Sequence, residues 1–257
     1  MGLFDFLKKE EEKPEKADKL TVDDELLDDD ELLDDDELEV GLDDDDEHDE
    51  EAKSAPIDRE TRGPFDISEA SPAKRYVDLG ALRIPAREGL GLRLEVEEKT
   101  KRLVAVALDY KESTMQIQAF AAPRSTGLWH SIMAQLAEQV RKQGGTAEEV
   151  EGILGPVLDT KIPVVVKGAA SSQTRSARFF GVDGPRWFLR GVLTGKALRD
   201  EATRVELVEL FRSVVVVRGD APLPPRELLT LVVPKAMADP TSKTATEDAA
   251  SGAADKA

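Results

Sequence analysis

Between residues 90 and 121 the apolar positions fall into three short runs. LGLRLEVE (90–97) sets Leu90, Leu92, Leu94 and Val96 on one side and Arg93, Glu95 and Glu97 on the other, the alternation of a half-buried strand. RLVAVALDY (102–110) is almost continuously apolar, which predicts a central strand. TMQIQAFA (114–121) alternates again, with Met115, Ile117 and Ala119 against Gln116, Gln118 and Phe120. The links EKTK and YKES are too short for a parallel crossover, so the three strands are predicted to be antiparallel neighbours.

The period then changes. Trp129, Ile132, Met133, Leu136 and Val140 form a helical stripe, with Ser125 or Thr126 as the expected cap and Gly144-Gly145 as the stop. TAEEVEGIL (146–154) opens on a capping-box pair, Thr146 and Glu149, and predicts a second short helix. KIPVVVKG reads as a strand, and residues 174–182 and 186–194 as a hairpin about a two-residue turn, Asp183-Gly184. DEATRVELVELFRS is an amphipathic helix with Val205, Leu207, Val208, Leu210 and Phe211 on its apolar side. VVVVRG is a buried strand, and LPPRELLTLVVP closes the domain. Strands come in clusters rather than in βαβ alternation. The expected fold is therefore α+β: a single domain over 64–237, its mainly antiparallel sheet packed by two or three helices.

Outside that domain the pattern fails. Residues 8–63 have almost no aromatic or β-branched side chains to bury, so an acidic arm over 1–63 is expected to be disordered. The small, polar residues 238–257 are expected to form a disordered tail. In the arm, DDELLDDDELLDDDELEV repeats a six-residue unit. Six helical steps rotate the leucine pairs around the axis instead of stacking them, and as a strand the aspartate triplets repel one another. The repeat is thus a polyanion with spaced apolar stickers, suited to folding on a partner, or else a plain solvated tether.

Charge sharpens this division. Residues 1–60 hold 28 Asp+Glu against 7 Lys+Arg, a net of −21, whereas residues 61–238 hold 21 acids and 26 bases, a net of +5. The chain has no cysteine, which excludes disulfides, zinc thiolates and cysteine nucleophiles. No apolar run is long enough for a transmembrane helix, and the N-terminus lacks the features of a signal peptide, so a cytoplasmic protein is expected.

GPFDISEA, VDLGALRIP, GVDGPRWFLRGVLTG and LFRSVVVVRGDAPLPPRELLTL resemble an actinobacterial family known as domain of unknown function 3710. The likeness spans about residues 63–235. It implies a single domain in a cytoplasmic bacterial protein and transfers no catalytic residues, because the family has no established activity.

Catalytic motifs are missing from the sequence. There is no phosphate loop, dinucleotide fingerprint, HExxH or GxSxG, and the two histidines, His48 and His130, have no evident catalytic company. Asp109, Asp159 and Asp183 are the carboxylates weighed for acid–base work. No catalytic, metal-binding or cofactor-binding residues are assigned, and a non-catalytic chain without cofactor is the expectation. Two interaction elements stand out. In the predicted hairpin, Phe180, Val182, Trp187 and Leu189 face the core, while Phe179, Arg186, Phe188 and Arg190 collect on the other side. Such a face can stack bases and neutralise phosphate, or grip an acidic peptide. At the N-terminus, Leu3, Phe4, Phe6 and Leu7 form a tip that can dock into a partner groove. The reading is a regulatory or interaction protein with a protein partner, reached through the arm or the hairpin face. The alternative is a nucleic-acid-associated protein whose arm acts as an autoinhibitory polyanion.

Overall fold

A computed structural model describes residues 52–71, 75–97, 100–164 and 173–234. The docking tip (Leu3, Phe4, Phe6, Leu7), the acidic repeat, His48 and the tail from 238 lie outside the described residues.

The three antiparallel strands form as expected: β4 (Gly91–Val96), β5 (Leu103–Tyr110) and β6 (Ser113–Ala121). Before them come a short helix α1 (Arg59–Arg62) and the strands β1 (Phe65–Asp66), β2 (Tyr76–Asp78) and β3 (Leu82–Pro85). After them run helix α2 (Trp129–Lys142) and the strands β7 (Thr146–Gly152), β8 (Gly155–Val164), β9 (Gln173–Asp183) and β10 (Trp187–Gly195). Helix α3 (Glu201–Arg212) and β11 (Val215–Val216) complete the set. The large sheet is antiparallel throughout, in the order β4-β5-β6-β10-β9-β8-β7. A small sheet, β1-β11-β3-β2, has one parallel pair, β1 with β11. The architecture is a single α+β domain with a mainly antiparallel sheet.

The two faces of the large sheet have different roles. Val106, Leu108, Met115, Ile117, Phe180, Val182, Trp187 and Leu189 pack with Leu207 and Phe211 of α3 and with Leu82 and Val216 of the small sheet. Phe180 and Phe211 meet edge to face at 4.8 Å. On the opposite face, α2 lies over β7, β8 and β9. It lays Trp129, Ile132, Met133, Leu136 and Val140 inward, the stripe read from the sequence. In α3 the apolar side is Leu207, Val208, Leu210 and Phe211, while Val205 points outward, exposed.

Three local expectations give way to tertiary context. Residues 146–152 form strand β7 and not a helix, because seven residues pair with β8 from Thr146↔Lys161 to Gly152↔Gly155. Ladder pairing outweighs a local capping box. Neither Ser125 nor Thr126 caps α2. The backbone N–H groups of Leu128 and Trp129 instead donate to the Asp183 carboxylate, at 2.9 and 3.3 Å. Lastly, residues 52–63, counted above as part of the arm, pack onto the domain. Ser54 is buried and its N–H donates to Asp183 at 3.1 Å. Arg59, also buried, holds Glu69 bidentately at 2.8 and 2.7 Å, and Arg212 reaches Asp58 at 2.9 Å. The low apolar content of this segment hid these polar anchors.

Candidate functional site: a basic cleft beside the β8–β9 pair

The β9–β10 hairpin forms, but with a different register. Asp183 stays in β9 opposite Phe188, Val182 faces Leu189 and Phe180 faces Gly191. The loop is Gly184-Pro185-Arg186, closed by Gly184 N–H to Trp187 C=O at 2.8 Å. The slip is even, so every residue keeps its predicted side. Two glycines set it: a Cβ on Gly191 would sit 2.2 Å from the Phe180 ring, and one on Gly181 2.5 Å from Phe188.

The arginine-aromatic face, however, is not a surface. Phe179 and Phe188 are buried on the side that α2 covers, and Trp129 stacks on Phe188 with centroids 6.1 Å apart. Arg190 is 6% exposed, lies 5.5 Å over the Phe120 ring and donates through Nη2 to Gln118 Oε1. Its Nε has no partner, and it makes no ion pair among the described residues. Burial lowers this guanidinium to about 10. Arg186 alone reaches solvent, at the loop, where it donates to Gly219 C=O at 3.2 Å. The predicted four-residue interaction face therefore reduces to one half-buried arginine, paired with Asp220, because a helix distant in sequence occupies the rest.

Nor do the three carboxylates converge. Asp109 is held by Arg93 at 2.5 and 2.9 Å and by Thr114 at 2.6 Å, and Arg93 keeps its pKa below the usual range. Asp159 is clamped by Arg178, both contacts 2.6 Å. Asp183 is the buried cap of α2; burial raises its pKa against the pull of three backbone N–H donors. Asp109 on β5 and Asp159 on β8 are four strands apart, ~19 Å at ordinary strand spacing. Each is committed to a structural partner.

An opening lies elsewhere, between the ends of β8 and β9 and the 3-10 turn Lys196–Leu198 that follows β10. This cleft of about 760 Å³ is lined by Lys161, Thr174, Ser176, Lys196 and Arg199, with Leu198 and Ala177 as its apolar part. Its one acid, Asp159, is already neutralised by Arg178. Lys161, Lys196 and Arg199 make no ion pair or side-chain hydrogen bond among the described residues. Lys196 does depress the pKa of Asp200, the cap of α3, though less than Asp200's own hydrogen bonds to Thr203 and Ala202 do. Three unpaired cations beside two hydroxyls suit an anionic group. Sequence reasoning missed the cleft because its cations come from segments 35 residues apart, none in a basic run.

A family model described as "Protein of unknown function (DUF3710)" matches residues 63–240. No curated protein matches the chain. Among solved structures, the chain is similar to the solution structure of cyanobacterial PsbP (CyanoP) from Synechocystis sp. PCC 6803. The identity is 10%, the match covers 57% of this chain and 95% of that one, and the TM-score is 0.35. No helix among the described residues is long and apolar enough to cross a membrane.

Proposed function

The chain belongs to this family of proteins of unknown function, and from that premise we propose a non-catalytic interaction protein. Its domain receives an acidic segment of a protein partner in the Lys161–Lys196–Arg199 cleft, and its acidic arm engages basic surfaces. The observation that carries the reading is the set of three cations around one cleft that form no salt bridge among the described residues. Arg59, Arg93 and Arg178, by contrast, are each held by a carboxylate: Glu69, Asp109 and Asp159. The net charge of −21 on residues 1–60 against +5 for residues 61–238 supports a two-sided electrostatic role. That the candidate acid–base carboxylates are all structurally engaged supports a binding role over catalysis.

The test is a titration of the full chain with a glutamate-rich peptide and with a single-stranded oligonucleotide, each at low and high salt. The variant Lys161→Glu/Lys196→Glu is expected to weaken peptide binding by about tenfold or more, and salt to weaken it in the wild type. Peptide binding that ignores the charge reversal would sink the proposal. Tighter, steeply salt-dependent binding of the oligonucleotide would favour the nucleic-acid reading instead, for which the cleft's cations and its Thr174 and Ser176 hydroxyls are the supporting observation.

A further inference from the structure

The large sheet is open and has two edges, β4 and β7. An unpaired edge invites another strand, and proteins blunt such edges with like charges or short, bent strands. The two edges here differ in that respect. β7 reads TAEEVEG, and pairing it with a second copy about Glu148, Glu149 or Val150 sets glutamate opposite glutamate. That edge repels its own copy.

β4 carries complementary charges, and its pairing with β5 shifts register only at its end, between Glu95 and Val96. Its sequence is GLRLEV, with Arg93 and Glu95 on one face and Leu92, Leu94 and Val96 on the other. About a two-fold axis through Leu94, an antiparallel copy brings Arg93 opposite Glu95 and Glu95 opposite Arg93. Leu94 then meets Leu94, and Leu92 meets Val96. Shifting the axis to Arg93 or Glu95 sets each charge opposite its own copy, and shifting it to Leu92 leaves Arg93 opposite Gly91, so the Leu94 register is the one that pairs both charges. The apolar face asks for the same cover: Val96 is 50% exposed, and Leu92 and Leu94 are only partly buried at the rim of the core. Arg93 and Glu95 bond inward along the sheet, to Asp109 and to the Gln116 side-chain amide, so pairing across the edge has them share those partners or turn from them. Among the described residues no strand pairs with the outer side of β4.

We infer that the β4 edge is a homodimer interface, where two copies join antiparallel about Leu94 into one continuous sheet. The surface is distinct from the basic cleft, so neither proposal depends on the other.

Sedimentation of the full chain across the micromolar range tests it. The wild type is expected at twice the chain mass. Glu95→Arg, which opposes arginine with arginine, and Leu94→Lys, which opposes two lysines at the axis, are each expected to lose half of that mass with unchanged circular dichroism. Leu94→Lys leaves the Arg93–Asp109 pair in place, so it still decides the matter if a charge variant fails to fold. Mixing Glu95→Arg with Arg93→Glu chains is expected to restore the double mass, since the mixed pair is again complementary at both positions. A wild type that sediments as one chain throughout, or variants that stay at double mass, would overturn the inference.

Discussion

Asp183 shows how one side chain is used at several levels. It ends β9, receives the N–H groups that begin α2, and receives the Ser54 N–H from the chain entering the domain. From sequence it reads as a turn residue or an acid–base candidate and not as a cap, because its three donors come from segments more than fifty residues away. Asp183→Asn keeps the volume but halves the acceptor capacity, and is expected to cost about 1–3 kcal/mol in chemical denaturation. The pH dependence has a definite sign. Burial raises this carboxyl above its ordinary 3.8, so the folded state favours the neutral form. That contribution is fully present below 3.8 and is lost as pH rises through the folded value. The stability gap between wild type and Asp183→Asn is therefore expected to be widest in acid and to narrow toward neutral pH. A gap that widens as pH rises would contradict the direction. Arg190 teaches a related lesson. Its sequence context suggests a surface, yet it is buried over the Phe120 ring, which in turn stacks on Phe188.

At the level of elements, legibility follows the range of the forces. β4, β5 and β6 were readable because short links and alternating residues leave little choice of pairing. The α2 stripe was equally plain, since the side chains that dock it are its own. β7 was not readable: Thr146 and Glu149 satisfy a helix start locally, and only the partner β8 makes them strand residues. The hairpin lies between these cases. Period-two alternation assigned its faces correctly, but the register was out of reach because Phe180 over Gly191 and Phe188 over Gly181 decide it. Gly181 also lies under α2, with Trp129 2.6 Å from where a Cβ would be. Gly181→Ala must push two buried rings, so a loss of about 1–3 kcal/mol is expected in thermal or urea unfolding. A neutral result would mean that α2 does not rest on that glycine. Of the candidate cleft, sequence singles out only Asp159, as a carboxylate, and none of the three cations, which no local pattern joins.

For the whole molecule, the boundary of the folded unit matters more than the average composition. Residues 52–60 look like part of the acidic arm, yet they carry Lys53, Ser54, Asp58 and Arg59, whose polar contacts reach β9, the following loop, Glu69 and α3. A chain beginning at residue 61 is expected to unfold at a lower temperature than one beginning at residue 52. Equal midpoints would show that the segment adds nothing. The same consideration governs any study of the domain in isolation, which must cut before residue 52 to keep these anchors.

The position of β10 sets the order of events during folding. It lies between β6 and β9, although β7, β8 and β9 precede it in the chain. Until residues 187–195 have left the ribosome, β4-β5-β6 and β7-β8-β9 lack the strand that joins them and are expected to be separate three-stranded pieces. Each then presents an apolar strand as a bare edge, β6 on one side and β9 on the other. Closure is a single insertion that pairs Trp187 with Ala121 and Gly195 with Ser113, spanning more than sixty residues at every rung. Such long-range pairing is slow, and the open intermediates are prone to associate. Chains truncated before residue 187 are accordingly expected to be digested at β6 and β9 by proteases that spare the complete chain. In this fold, the strand at the centre of the sheet is the last to arrive.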